Sequence, residues 1–378
     1  MSPVATQEKP VQAQALYVAL ELGERKWKIA CTPSIGQAPR LRQLDARDLA
    51  QLMVEIQAAK ARFGLPADAP VYSCYEAGRD GFWLHRALTA CGIHNTVVDS
   101  ASIEVDRRAR RTKTDSLDAV KLVTMLIRYH NGEPRVWRVV RVPTVAEEEQ
   151  RQLHRELAVL KRDRTALVCR IKSLLALQGV AGGPRTVVPQ DIDRLRMWNG
   201  ETLPKELAAR VKRECGRVAS IDAQIHELVR KRKHALRHCG GHAFTLIRKL
   251  MKLRGIGVES AWIYVMELFA WRKLKTVREV GALAGLTPAP YQSGDMRHDL
   301  GITKAGNRHV RGIAVEIAWG WLQHQPQSEL TQWYQRKFGH GGSAMRRKGI
   351  VALARKLLVA LWKYAERDEL PAGAALKA

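Results

Sequence analysis

The first 130 residues alternate strand and helix signals in an order that leaves few folds open. Residues 16–22 and 26–32 read as two apolar strands joined by the tight turn Gly23-Glu24-Arg25, and residues 40–44 as a third. Helical periodicity follows over 46–63, with Leu49, Leu52, Met53, Ile56, Ala59 and Phe63 on one stripe, and stops at Gly64 ahead of Pro66. A strand at 70–75, a helix at 79–91 ending at Gly92, a strand at 94–98 and a helix at 115–130 complete the series.

The order βββαβαβα is that of a ribonuclease H-like sheet, in which chemistry gathers beside the central strands and the final helix. Four carboxylates stand at those places. Glu21 lies in the run Leu16 to Leu22, Glu76 ends the run that starts at Val71, and Asp115 and Asp118 open the last helix three residues apart, on one face. Each alone has a plain reading as a solvated acid, and Asp115 as a helix N-cap. Together, in a chain of net charge +26, they need a counter-charge, which a divalent metal supplies. Two metals on four acids are suited to phosphoryl transfer. Just upstream, Arg107, Arg108, Arg110, Arg111 and Lys113 form either a solvated basic loop or a clamp that guides a phosphate backbone to the metals.

Beyond the sheet the period is helical. Leu153, Leu157, Leu160, Leu167, Ile171 and Leu174 mark one long segment over 145–178, with Arg164 and Gln178 as polar intrusions, and Leu207, Val211, Val218, Ile221, Ile225 and Leu228 mark another over 205–236. The Gly/Pro-bearing stretch between them suggests a central antiparallel coiled-coil hairpin with arms of roughly 45 Å, against two core helices of a compact bundle. From 243 onward the chain reads as helical and basic. Gly255 and Gly257 mark a turn that is either a plain helix–helix junction or a helix-hairpin-helix offering backbone N–H groups to DNA. Ser293, in a proline-bounded loop, is a turn residue or a nucleophile. Lys304, Arg308 and Arg311, with Asn307 among them, open a basic helix that would hold the phosphate Ser293 attacks. Arg346, Arg347 and Lys348 begin a last helix, Met345 to Tyr364, that grips a nucleic-acid backbone or is simply solvated.

Sixty-three basic residues against thirty-seven acidic ones point to a polyanionic partner, with a merely basic or ribosome-associated protein as the plain alternative. No apolar run nears the roughly 20 residues of a membrane helix, and Met1 to Gln14 lack a secretory segment. The six cysteines form no C-x-x-C pair, which fits a reduced, cytoplasmic protein. His234, His238, Cys239 and His242 read as a basic helix end rather than a zinc site.

Two stretches carry a resemblance to a known family. Arg110-Arg111-Thr112-Lys113-Thr114-Asp115-Ser116-Leu117-Asp118-Ala119, and Gly285-Leu286-Thr287-Pro288 leading to Ser293-Gly294 and then Ile302-Thr303-Lys304-Ala305-Gly306-Asn307 with Arg311, resemble the transposases of the insertion sequence 110 family, including the insertion sequence 1111 group. These are bridge-RNA-guided recombinases. The resemblance runs from Leu16 to about Arg367 and implies a RuvC-like domain, a coiled-coil hairpin and a transposase domain. The boundaries expected here are a disordered tail at 1–15, the RuvC-like domain at 16–132, linker and hairpin at 133–242, the transposase domain at 243–367 and a tail at 368–378. The family's four acids match Glu21, Glu76, Asp115 and Asp118, and its serine matches Ser293. The resemblance further implies Mg²⁺ (or Mn²⁺) on the acids, a 5′-phosphoserine DNA intermediate, a noncoding bridge RNA pairing with donor and target DNA, and a dimer that assembles to a tetramer, the acidic site of one subunit meeting the serine of another. The chain departs from the family at Glu21, where aspartate is usual; the extra methylene moves the carboxylate by about 1.3–1.5 Å.

Three rivals make different demands. A RuvC-type nuclease or junction resolvase would use metal-activated water and ignore Ser293. A non-catalytic nucleic-acid-binding protein would bind without Mg²⁺ and join nothing. A sugar-kinase-like ATPase would need a glycine-rich phosphate loop after the first strand, where only Gly23 stands.

Overall fold

Alternate residues of β1 (Leu16–Leu22) face opposite ways, and both sides are covered. Leu16, Val18 and Leu20 pack in one apolar cluster with Leu52 and Ile56 of α1 (Leu49–Arg62) and Leu84 and Leu88 of α2 (Trp83–Ala90). Ala19 joins a second cluster with Ala119, Leu122 and Leu126 of α3 (Asp115–His130) on the other side. Burial on both faces explains why the strand reads as a nearly unbroken apolar run. The computed structural model describes residues 14–103, 115–180, 189–293 and 296–377, in two units divided after Pro143.

In the first unit β2 (Lys26–Thr32), β3 (Arg40–Asp45), β4 (Val71–Glu76) and β5 (His94–Val98) join β1 in a five-stranded sheet of order β3-β2-β1-β4-β5. The β1–β2 and β2–β3 pairs are antiparallel, and β1–β4 and β4–β5 are parallel. Two expected helices start late, for local reasons. Arg47 has φ of 72°, outside the helical region, and Asp48 caps α1 by accepting from the Gln51 N–H. Gly81 has φ of 67°, and its carbonyl accepts from the Tyr75 hydroxyl, so α2 starts at Trp83 rather than 79.

The second unit opens with a short α4 (Val145–Glu149), capped by a reciprocal Thr144–Glu147 pair, and then α5 (Gln152–Ala176). The single helix expected over 145–178 is therefore broken at Gln150–Arg151, where the Arg151 guanidinium stacks on the Trp271 ring at 4.7 Å. The 25 residues of α5 span about 37 Å. They lie against α6 (Lys205–His238), and the pairing runs antiparallel: Arg164 meets Asp222, Arg170 meets Glu214, and Ile171 and Leu175 share a cluster with Val211 and Cys215. The seam thus carries ion pairs as well as leucines, and Arg164, a break in the sequence stripe, has its answer in Asp222.

The rest of the unit is built on one large core. It is formed by α7 (His242–Met251), α8 (Val258–Tyr264), a π-helical turn (Val265–Phe269), α9 (Val277–Leu283), α10 (Arg308–His324), α11 (Glu329–Tyr334) and α12 (Ser343–Arg367), with Ile247, Leu250, Trp321, Leu357 and Leu361 at its centre. This part is not wholly helical as expected: β6 (Pro288–Ser293) and β7 (Met296–Ile302) form an antiparallel hairpin. Pro288 and Pro290 conceal it in the sequence, since proline argues against a central strand but is tolerated in a ribbon whose outer edges are unpaired. Residues 371–377, expected as a tail, are bonded down: Arg254 N–H donates to Ala375 O, Lys377 N–H to Lys252 O, and Lys377 Nζ to the carbonyls of Met251 and Ile256. Among the described residues no helix is long and apolar enough to cross a membrane.

Candidate functional site

Glu21 is on the odd-numbered face of β1, the face of Ala19 and α3. Glu76 shares the even-numbered face of β4 with Cys74, which belongs to the same cluster, and Leu20 pairs with Tyr75, so Glu21 and Glu76 sit side by side across the parallel pair. The direction of α3 follows from its ends. His130, in its last turn, packs on Tyr17 and Tyr72 at the start of β1 and β4, with ring centroids 5.6 and 4.1 Å apart. The first turn of α3 therefore lies at the opposite end, with Glu21 and Glu76. Glu21 and Asp118 are half-buried and Glu76 is exposed. Asp115 is the first residue of α3, its side chain outside the described set, as are Arg107, Arg108, Arg110, Arg111 and Lys113. Three of the four expected acids thus come to one end of one face. Among the described residues no group of three acids, histidines or cysteines is already close enough to hold a metal.

The sequence reading missed Lys28. It is the antiparallel partner of Glu21, on the same face, and adds a positive charge beside the acids. The signal was there to find: counting back from the turn to Glu21 and forward to Lys28 pairs them.

In the second unit Ser293 is the last residue of β6, paired with Met296 across Gly294 and Asp295, which lie outside the described residues. The base of the hairpin is pinned by backbone bonds: Thr303 N–H to Thr287 O at 2.9 Å, Lys304 N–H to Gly285 O at 3.2 Å, and Asn307 N–H to Leu283 O at 2.7 Å. Gly285 (φ 66°) and Gly306 (φ 140°) let the two strands of this base touch. A Cβ on Gly306 would strike the Leu283 carbonyl oxygen, and one on Gly285 would meet Ala305 O at 2.8 Å. The Gly306→Ala variant is expected to lose about 3 kcal/mol of stability, measurable as a fall in the urea midpoint of the second unit.

Arg311 is committed to this base, with Nη1 donating to Lys304 O at 2.8 Å and Ala284 O at 3.4 Å. Asn307 is the N-cap of α10: its Oδ1 accepts from the N–H groups of His309 and Val310 at 2.9 and 3.2 Å. The sequence expectation makes both of them nucleic-acid contacts; in the fold Arg311 Nη1 and the Asn307 amide also bond within the unit. Lys304 and Arg308 are exposed, but at the foot of the hairpin, whereas Ser293 is at its far end, roughly 16 Å away along β6. They do not hold the phosphate next to Ser293 in the same chain. Arg346, Arg347 and Lys348 are exposed in the first two turns of α12.

The Gly255–Gly257 turn is also used internally. The N–H groups of Arg254, Ile256 and Gly257 donate to Ala375 O, Leu253 O and Ser260 Oγ, and α8 is only seven residues long. Three N–H groups of this turn thus have partners within the unit.

The second omission is Glu267, the lone acid in Val265-Met266-Glu267-Leu268-Phe269. Its side chain is fully buried. His154 Nε2 and Arg155 Nε contact Oε1 at 2.8 and 2.6 Å, and Arg155 Nη2 and Asn307 Nδ2 contact Oε2 at 2.9 and 2.7 Å. Burial pushes the carboxyl up, but hydrogen bonds from His154 and Arg155 and the Arg155 charge outweigh it and hold it well below the usual carboxylate range. A depressed carboxyl stabilises the fold fully above the ordinary carboxylate pKa, and the contribution fades as pH falls below it. The urea midpoint of the second unit, read by tryptophan fluorescence, is therefore expected to drop more between pH 7 and pH 3 in the wild type than in Glu267→Gln; equal drops would remove Glu267 as the cause.

The first unit has an acid-ended sheet and the second a glycine-pinned serine hairpin, and comparison with known proteins places the chain among transposases. Residues 247–332 match the family described as transposase IS116/IS110/IS902. The chain is 40% identical over 378 residues to a putative transposase of Sinorhizobium fredii (strain NBRC 101917 / NGR234), covering 96% of this chain and 95% of that one. It is 23% identical over 352 residues to the transposase for insertion sequence element IS1328 of Yersinia enterocolitica, covering 91% and 95%. The chain belongs to the IS116/IS110/IS902 family of transposases.

Proposed function

We propose that this transposase joins DNA through Ser293, assisted by divalent metal on the carboxylates and guided by RNA. The observation that carries the reading is the position of Ser293, closing a hairpin whose base is locked by two glycines and Arg311. Such a base fixes the direction of the strand that ends in Ser293, as in-line attack on phosphorus requires. The Ser293 hydroxyl attacks a DNA phosphate and gives up its proton. The Oγ–P bond forms, the 3′ oxygen leaves as a hydroxyl, and a 5′-phosphoserine results. A 3′ hydroxyl of the partner strand then attacks the same phosphorus and returns the serine.

Glu21, Glu76 and Asp118, with Asp115 beside them in sequence, offer only hard oxygen donors, the set that suits Mg²⁺ or Mn²⁺. Bound there, the metal would supply charge stabilisation for phosphoryl transfer. Lys304, Arg308 and the Arg346–Lys348 turn would hold backbone phosphates several nucleotides from the reacting one. The partners in this reading are donor and target DNA, a noncoding bridge RNA, and further copies of the chain, as a dimer that assembles to a tetramer.

The gathered carboxylates by themselves also suit a metal-dependent nuclease that uses water. The test is to express the protein beside a reporter flanked by its element ends, with and without the flanking noncoding RNA, and to amplify the recombinant junction. Junctions that require both Ser293 and the RNA support the proposal. Junctions that survive Ser293→Ala sink the serine step, and junctions formed without the RNA sink the guidance.

A further inference from the structure

Glu267 joins two parts of the second unit that are far apart in sequence. One side of its carboxylate is gripped by His154 and Arg155 in the first turn of α5, at the root of the long helical arm. The other side takes the Nδ2–H of Asn307, whose Oδ1 caps α10 and whose own N–H closes the hairpin base on Leu283 O. The Asn307 amide is thus fixed at both ends, donor toward Glu267 and acceptor toward the helix. The π-helical turn brings Glu267 there: Ala270 N–H reaches back to Val265 O, and all five residues from Val265 to Phe269 are buried. Wider turns of this kind, in helices otherwise regular, concentrate at functional sites. A charge is costly in so apolar a segment, and it persists only with partners that satisfy it. An apolar residue would pack here; a carboxylate does something more.

We propose that Glu267 is a positioning residue for the serine hairpin, latching the root of the arm to Asn307 and so fixing the direction in which Ser293 is presented. The link to Ser293 rests on the serine reading above; the latch itself does not.

Asn307→Asp separates the latch from the cap. Aspartate keeps the acceptor that caps α10 but turns a second carboxylate oxygen on Glu267 in place of a donor. If capping alone matters, the variant behaves as wild type, since aspartate caps as well as asparagine. If the latch matters, the amides of Thr303 and Lys304 at the hairpin base exchange with deuterium at least tenfold faster, and serine–DNA adduct forms at least tenfold more slowly at unchanged DNA affinity. Arg155→Lys keeps the charge of the arm but not its two-pronged grip, and is expected to speed the same amides.

Unchanged exchange in Asn307→Asp, or in Arg155→Lys, overturns the latch. Exchange is read on unreacted protein. A wild type that forms no adduct would therefore sink the serine reading, while the exchange arm still decides the latch.

Discussion

Replacing Ser293 by alanine is expected to lower junction formation by about 10³-fold or more, with folding and DNA binding kept. The variant removes one hydroxyl at the end of a strand whose pairing is made by backbone groups, so the hairpin has no reason to open. Its base is held by bonds that do not involve Ser293, from Thr303, Lys304, Asn307 and Arg311. On the proposed mechanism, what disappears is the group that would keep a DNA end covalently attached while a second strand arrives. Without it, a metal-assisted site would release a hydrolysed end rather than join two strands. The measurement is paired: a denaturing gel for the covalent protein–DNA adduct and amplification of the junction. Both should vanish together. An adduct that persists in Ser293→Ala would place the nucleophile elsewhere.

The second large effect is expected at Glu21, where alanine should abolish joining and aspartate should lower it by roughly 10–100-fold, a decrement typical of a ligand held at the wrong reach. The reason is the position of β1. It is hydrogen-bonded on both sides, to β2 and to β4, and packed on both faces. A strand so held cannot slide to compensate for a carboxylate that is about 1.5 Å shorter. On this reading the glutamate is the length that this strand requires. Raising Mg²⁺ or Mn²⁺ should recover Glu21→Asp in part and Glu21→Ala not at all. Full joining by Glu21→Ala would take the residue out of the site.

The first unit was legible because its signals are local. Strands 16–22, 26–32 and 94–98 and helix 115–130 lie where alternation and periodicity put them, since each apolar stripe meets a continuous face. The second unit misleads where long-range partners decide the outcome. Arg164 reads as a flaw in a leucine stripe until Asp222, 58 residues on, completes it. Arg311 and Asn307 read as phosphate ligands because they are polar, next to a helix start and near lysine; only the fold shows that Arg311 Nη1 and the Asn307 amide also have partners within the unit. Glu267 is invisible for the opposite reason: one acid in an apolar run has no period to reveal it. Ser293 and Lys304 are eleven residues apart in sequence, which suggests proximity, but an extended hairpin turns that spacing into distance.

The bonds that fasten residues 371–377 beneath the Gly255 turn also set an order of events during synthesis. Everything the first unit needs lies before Pro143, so it can fold while the ribosome is still making the rest. The second unit cannot close until its last strand-like segment has left the exit tunnel, because Ala375 and Lys377 supply partners to Arg254, Gln325 and the carbonyls of Met251 and Ile256. A nascent chain stalled before residue 371 should therefore carry a protease-resistant first unit and a second unit still open to cleavage.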